Sequence, residues 1–330
     1  MYKMIKDRAP AAQKSFADCS GCSLCLVVCP VWRNCRDIAM TPHGRAKALQ
    51  HGADVTQIAA SIESCTLCGA CEPMCPEKID LIGMTLDLRR ALMMQSDHHS
   101  TQTFSETTAT VNIAAARALL PDAALRSNGA GLARIKTLLE STGNIEVSTD
   151  DGTDISRALE TGTDIPAQRL AQFLAPLRRL KEIVVVDGLL LHQLLRWLPG
   201  VKVIGLGEAL SRLDAVRRML RATDLYVIEP RAYHADYQRL VGHYERLRSE
   251  YGCTLSLDLQ RIAIPVRSSR LHEMDDFAQA RWLLHGRKAS RIVVESLEDR
   301  ALLEGISDCP VVHLAELLEA VDNKEQGRSH

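Results

Sequence analysis

The chain has 330 residues, 46% hydrophobic and 25% charged, as expected of a folded protein of two or three domains, and its net charge of −1 gives no electrostatic footprint for nucleic acid. No apolar run of 18 residues exists, so no membrane-spanning helix is expected. The first residues, "MYKMIKDRAPAAQKSF", lack the apolar stretch of a secretory signal, which points to the cytoplasm.

The first informative element is a cysteine run. "CSGCSLCLVVCP" places Cys19, Cys22, Cys25 and Cys29 ahead of Pro30. "CTLCGACEPMCP" places Cys65, Cys68, Cys71 and Cys75 ahead of Pro76, each cysteine 46 positions after its counterpart. Without an export signal, such runs read as metal ligands rather than disulfides. The pattern C-x2-C-x2-C-x3-C-P is the bacterial run that holds [4Fe–4S] clusters. A cubane needs four thiolates, and three cysteines at this spacing let a loop wrap one of its faces. The proline after the fourth fixes φ, donates no hydrogen bond and turns the chain away. In two-cluster ferredoxins that fourth thiolate serves the other cluster. Cys19, Cys22, Cys25 and Cys75 are therefore expected on one [4Fe–4S] cluster, and Cys65, Cys68, Cys71 and Cys29 on a second. Structural zinc favours C-x2-C pairs set well apart and fits less well. Gly21 and Gly69 are expected where backbone closely approaches the cubes. Leu24, Leu26, Val27, Val28, Leu67 and Met74 are expected to shield the clusters from water.

The spacer between the runs shows helical stretches at Arg45–His51 and Val55–Ile62 and little strand pattern. After the second run, "KIDLIGMTLDLRRALMM" predicts an extended lead-in followed by an amphipathic helix. A helical two-cluster domain suits this long spacer better than a compact β-type ferredoxin. The two runs, with "TPHGRAKAL" and "CTLCGACEPMCPEKIDL", resemble the α-helical ferredoxin domain of the group typified by the iron–sulfur subunit of heterodisulfide reductase. That group includes the iron–sulfur subunits of anaerobic glycerol-3-phosphate dehydrogenase, glycolate oxidase and lactate-utilisation systems. The resemblance covers about residues 15–95. It implies the electron-transfer component of an oxidoreductase complex rather than a catalyst alone. Its partner would be a dehydrogenase or reductase subunit, for which a flavoprotein fits, and docking to a membrane complex is compatible with it.

The expected organisation is an α-helical ferredoxin domain with two clusters over residues 1–94, a polar linker over 95–111, and an α/β domain over 112–330. His98 and His99 fall in the linker and read as solvated. The α/β domain divides into two similar lobes, about 112–215 and 216–323, because the sequence carries a degenerate repeat. Ile183-Val184-Val185 lies 109 positions before Ile292-Val293-Val294, and Glu208 lies 108 before Glu316. Each unit reads strand, helix, strand, connection, helix, strand, short helix, strand, helix, which predicts a small parallel sheet per lobe. This order resembles the duplicated CCG domain that often follows the ferredoxin domain in the same group. The signature cysteines are absent, however. The matching stretches read "STDDGTD" (Ser148–Asp154), "VDGLLLH" (Val186–His192) and "VESLEDR" (Val294–Arg300). The resemblance therefore implies the fold without an extra iron–sulfur centre.

Cys253 and Cys309 stand at strand starts and read as small buried hydrophobes. Cys35 has no role, since eight cysteines satisfy two cubanes. Gly205-x-Gly207 is a fragment of a dinucleotide fingerprint with Leu210 in the third position, and a tight strand-to-helix turn accounts for both glycines. Asp150, Asp151 and Asp154 read as a polar loop. Two other functions stay open. One is a reductase whose C-terminal domain binds a substrate or further cofactor. The other is a redox-sensing regulatory protein.

Overall fold

The computed structural model describes residues 14–95, 103–104, 116–269, 271 and 275–318. Most of the expected linker, with His98 and His99, lies outside the described residues. The N-terminal segment folds as the helices Leu24–Val28, Pro30–Cys35, Pro42–Gln50, Ala59–Ser64 and Leu81–Gln95, and holds no strand among the described residues. Pro30 and Pro42 take first helical positions, where a missing N–H is no loss. Thr41 caps the helix Pro42–Gln50 by accepting from Gly44 N at 3.2 Å. The helix Leu81–Gln95, expected to be amphipathic, buries Leu81, Ile82, Met84, Leu86 and Leu88.

Among the described residues ten strands follow: β1 (Arg117–Leu120), β2 (Glu146–Val147), β3 (Glu182–Val185), β4 (Lys202–Gly205), β5 (Asp224–Val227), β6 (Thr254–Leu255), β7 (Leu257–Asp258), β8 (Ile262–Ala263), β9 (Arg291–Val294) and β10 (Val311–His313). One sheet has the order β2-β1-β3-β4 and the other β6-β5-β9-β10, with every pairing parallel. The chain is thus a helical N-terminal domain followed by an α/β region of two small parallel sheets with matching strand order. The repeated Ile-Val-Val segments are β3 and β9. Each lies inside its sheet and is covered on both faces, which is why each reads as a continuous apolar run. One core joins the two sheets. Leu119, Val184, Ile204 and Leu206 come from the first half, and Tyr226, Val293 and Leu314 from the second.

Three expectations need correction. The connection predicted after β6 contains an antiparallel hairpin, β7–β8, whose turn holds Leu259 and Gln260 at φ 47° and 65°. No glycine or asparagine announces that turn, so the usual sequence signal is missing. The aspartates at 150 and 154 do not form a solvated loop. Arg169, itself buried, takes Asp150 at 2.8 Å and Asp154 at 2.7 Å. Gly207 answers to packing rather than to a turn. A Cβ there would lie 2.0 Å from the Glu295 carboxyl carbon.

The N-terminal helices are built into the α/β region. Leu67, Ile82 and Leu86 join a core with Phe173, Leu189 and Leu190. Arg89 donates to Cys65 O at 2.6 Å and to Glu160 O at 2.7 Å. Gln279 Nε2 donates to Pro30 O at 2.9 Å, and the Arg33 guanidinium lies 3.9 Å over the Trp282 ring. Among the described residues, no helix is long and apolar enough to cross a membrane.

This junction is tight enough to test. Gly162 sits at φ +82°, and a Cβ there would lie 2.4 Å from the Arg89 carbonyl carbon. Gly52 has a similar φ of +85° with nothing within 4 Å. Gly162→Ala should cost about 2 kcal/mol or more in urea unfolding, and Gly52→Ala about 1 kcal/mol, because only the first adds a clash with backbone to the left-handed strain. Equal costs would show that the junction yields.

Candidate metal centres

The eight cysteines of the two runs surround two cavities. Cys19, Cys22 and Cys25 line the first together with Cys75, against Phe16, Ile79, Leu81 and Met84. Cys65, Cys68 and Cys71 line the second together with Cys29, against Val31, Met40, Arg45 and Ile82. Each cavity thus draws three cysteines from one run and one from the other. The crossing has a local cause. Cys29 ends the helix Leu24–Val28 in extended backbone and caps the helix that Pro30 opens, so the chain leaves the first loop at that residue.

Both loops share a backbone signature. Gly21 and Ser23 are left-handed in the first, at φ 80° and 65°. The residues 46 positions on, Leu67 and Gly69, are left-handed in the second at φ 54° and 75°. Each loop thus needs that conformation twice and meets one of the two positions with glycine. The glycines also make room behind the loops. A Cβ on Gly21 would lie 2.9 Å from Lys47 Cε, and one on Gly69 would lie 2.8 Å from His234 Cβ. The expected shielding holds only in part. Val28 and Leu67 are buried, but Leu24 and Val27 are 43% and 50% exposed. They stand three residues apart and so lie side by side on the helix surface.

The two cavities differ in setting. Cys22 is exposed and Cys19, Cys25 and Cys75 are half-buried, whereas Cys29, Cys68 and Cys71 are buried. Burial pushes the Cys25 thiol up to about 11 and Cys29 to about 12, with neighbouring thiols adding to both. Burial also raises Cys68, and raises Cys71 strongly. Cys65 behaves differently. Burial raises it, but the Arg45 and Arg89 guanidiniums outweigh that and hold it below the ordinary thiol value. Buried thiols of this kind ionise readily only when a metal supplies the opposing charge. Arg45 Nε, buried beside the second cavity, has no hydrogen-bond partner. Four soft sulfur donors per cavity, with a cation set against one of them, fit an anionic iron–sulfur cluster. Arg45, Arg89, Arg231 and His234 carry no motif, and sequence reasoning does not single them out. Only their aim at the cysteine loops identifies them.

The second cavity is closed by the α/β region. From the helix Pro230–Ala235, Arg231 donates to Thr66 O at 2.9 Å and His234 Nδ1 donates to Cys68 O at 2.6 Å. Beside it lies a third cavity, a cleft off the carboxyl ends of β1, β3, β5 and β9, where open α/β sheets place ligands. Thr66 and Cys68 line both the cleft and the second cavity. The stretches expected to match the CCG signatures contribute Thr153, Asp187, Ser296 and Asp299 to the cleft. These oxygen donors do not fit a further iron–sulfur centre. Burial raises Glu229 to about 8, and Asp122 and Asp299 to about 6. Beneath the cleft Glu295 accepts from Tyr226 Oη and Tyr244 Oη, both at 2.6 Å, and from Glu229 N at 2.8 Å.

Residues 15–79 match the family described as the 4Fe-4S dicluster domain. The match spans both cysteine runs and none of the α/β region. No curated protein and no solved structure matches the chain. The N-terminal segment is accordingly a helical 4Fe-4S domain of the electron-transfer type.

Glu295 gives this region a pH dependence. Burial raises its carboxyl to about 7 in the folded chain, against an ordinary 4.5. The stabilising protonated form is therefore fully present below about 4.5, and its contribution is lost as pH climbs through 7. Between about pH 5.5 and 8.5 the loss should come to about 2 kcal/mol. In anaerobic urea unfolding, Glu295→Gln should remove that part of the pH slope. An unchanged slope would place the titration elsewhere.

Proposed function

We propose that this chain is an electron-transfer protein that holds two [4Fe–4S] clusters by crossed ligation and relays electrons between an oxidoreductase partner and a second acceptor. Cys19, Cys22, Cys25 and Cys75 would hold the first cluster. Cys65, Cys68, Cys71 and Cys29 would hold the second. The observation that carries this reading is the sorting of the cysteines into two cavities, three from one run and one from the other in each. When bound, each cluster supplies a one-electron redox centre. The chain supplies the setting. The first set of ligands, with exposed Cys22 and the exposed Leu24 and Val27 beside it, faces the surface where a partner would dock. A flavoprotein suits that place, as the resemblance of the cysteine runs implies. The second set is sealed under the α/β region.

A second reading has its own support. The cleft shares Thr66 and Cys68 with the second cavity, so a small molecule held there would lie against a ligand of the second cluster. On that reading the α/β region is the substrate-binding part of a reductase.

An anaerobic titration tests the proposal. The loaded chain should take up about two electrons from dithionite and return them to a chemical oxidant reversibly, one for each cluster. In the relay reading the chain alone turns over no small disulfide, quinone or hydroxy acid. Sustained turnover by the chain alone would favour the second reading. Uptake of about one electron would contradict both.

A further inference from the structure

Buried charge is distributed unequally between the two cavities. Arg45 is 1% exposed and Arg89 is 2% exposed. Each donates to backbone carbonyls, and Arg45 Nε is left without a partner. Arg45 donates to Ser61 O at 2.5 Å, and Arg89 donates to the carbonyls of Cys65 and Glu160. Among the described residues, neither pairs with a carboxylate by ion pair, whereas the other cations nearby do. Arg33 pairs with Asp258 and Arg231 with Glu160. Two buried cations without a carboxylate partner are costly unless something anionic completes the site. The anion that the site offers room for is the cluster held by Cys29, Cys65, Cys68 and Cys71. Glu72 stands next to Cys71 and acts on that thiol, while the Glu160 carboxylate, paired with Arg231, also acts on Arg89.

Among the described residues, the first cavity has no counterpart to this pair. Its nearest cation, Lys47, donates to Cys19 O at 3.1 Å and to Gln50 Oε1 at 2.7 Å on an open side, and Glu77 lines the same cavity. Water and salt screen charges placed there.

We infer that Arg45 and Arg89 set the reduction potential of the second cluster above that of the first, so that an electron entering the pair settles beneath the cleft. The inference rests on the two-cluster reading above. Two effects compete. Positive charge favours the reduced, more negative cluster and raises its potential, while burial disfavours it and lowers the potential. The charge effect wins here because both guanidiniums stand in the interior against this one site, where their field is unscreened: Arg45 lines the cavity, and Arg89 donates to the carbonyl of the ligand Cys65 at 2.6 Å.

The test is an EPR-monitored redox titration of the iron-loaded protein. Arg45→Gln and Arg89→Gln should each lower the potential of the centre that is reduced first and leave the other in place. Arg45→Lys should shift it less in the same direction. A shift confined to the centre reduced last, or no shift at all, overturns the inference. A measurement on the unaltered chain guards against variants that fail to load. Raising salt from about 0.05 M to about 1 M should leave the first-reduced centre in place and move the other, since buried charges escape screening. A first-reduced centre that follows salt overturns the inference equally. Iron content separates the two levels of the account. A wild-type chain without two clusters removes the reading underneath, and two clusters indifferent to both arginines remove this inference alone.

Discussion

Two hydrogen bonds hold the halves of this chain to one another where it matters most. Arg231 and His234, one turn apart on a six-residue helix, donate to the carbonyls of Thr66 and Cys68. Those carbonyls belong to a loop with left-handed residues at Leu67 and Gly69, which no regular element pairs. Buried carbonyls need donors, and the α/β region supplies them. The imidazole is well suited. Its Nδ1 donates to Cys68 O while its Nε2 accepts from Ala263 N at 3.3 Å, so the ring is neutral with both nitrogens used. Burial pulls its pKa to about 4, which keeps it in that form through the physiological range. Gly69 is glycine partly because the His234 side chain stands where its Cβ would be.

That clamp explains why a ferredoxin-like segment carries two hundred further residues. The first set of cysteines needs only its own helices and remains open to the outside. The second set is completed by the α/β region, which covers the Cys65–Cys71 loop and places a polar cleft beside it. The cleft stands off the carboxyl ends of both parallel sheets, the place such sheets reserve for ligands. Its walls are oxygen-bearing where thiolates would be expected from the element order. The molecule thus has an outer end where Cys22, Leu24 and Val27 are exposed and an inner end where a polar cleft adjoins the second set of cysteines.

The two cysteine runs and their dicluster character were legible in the sequence because their chemistry is local. Four thiols in eleven residues leave few other uses, and the proline after each run marks where the chain turns. The two sheets were legible because β3 and β9 are short apolar runs repeated at a fixed interval. What stayed hidden depends on contacts far apart in the chain. Arg231 meets Thr66 across 165 positions, and it does so through a carbonyl, which every residue possesses. Gly207 read as part of a tight strand-to-helix turn, whereas the Glu295 carboxyl packs where its Cβ would be. The β7–β8 hairpin turns on leucine and glutamine, which carry no turn signal. Leu24 and Val27 looked like shielding because they are apolar, but the phase of a five-residue helix decides which side they face.

The most direct measurement is iron and acid-labile sulfide per chain in protein purified without oxygen, read with the EPR spectrum of the reduced form. The account predicts about eight irons, about eight sulfides and the spectrum of two magnetically interacting [4Fe–4S] clusters. About four irons with a single uncoupled spectrum, or zinc in their place, would contradict it.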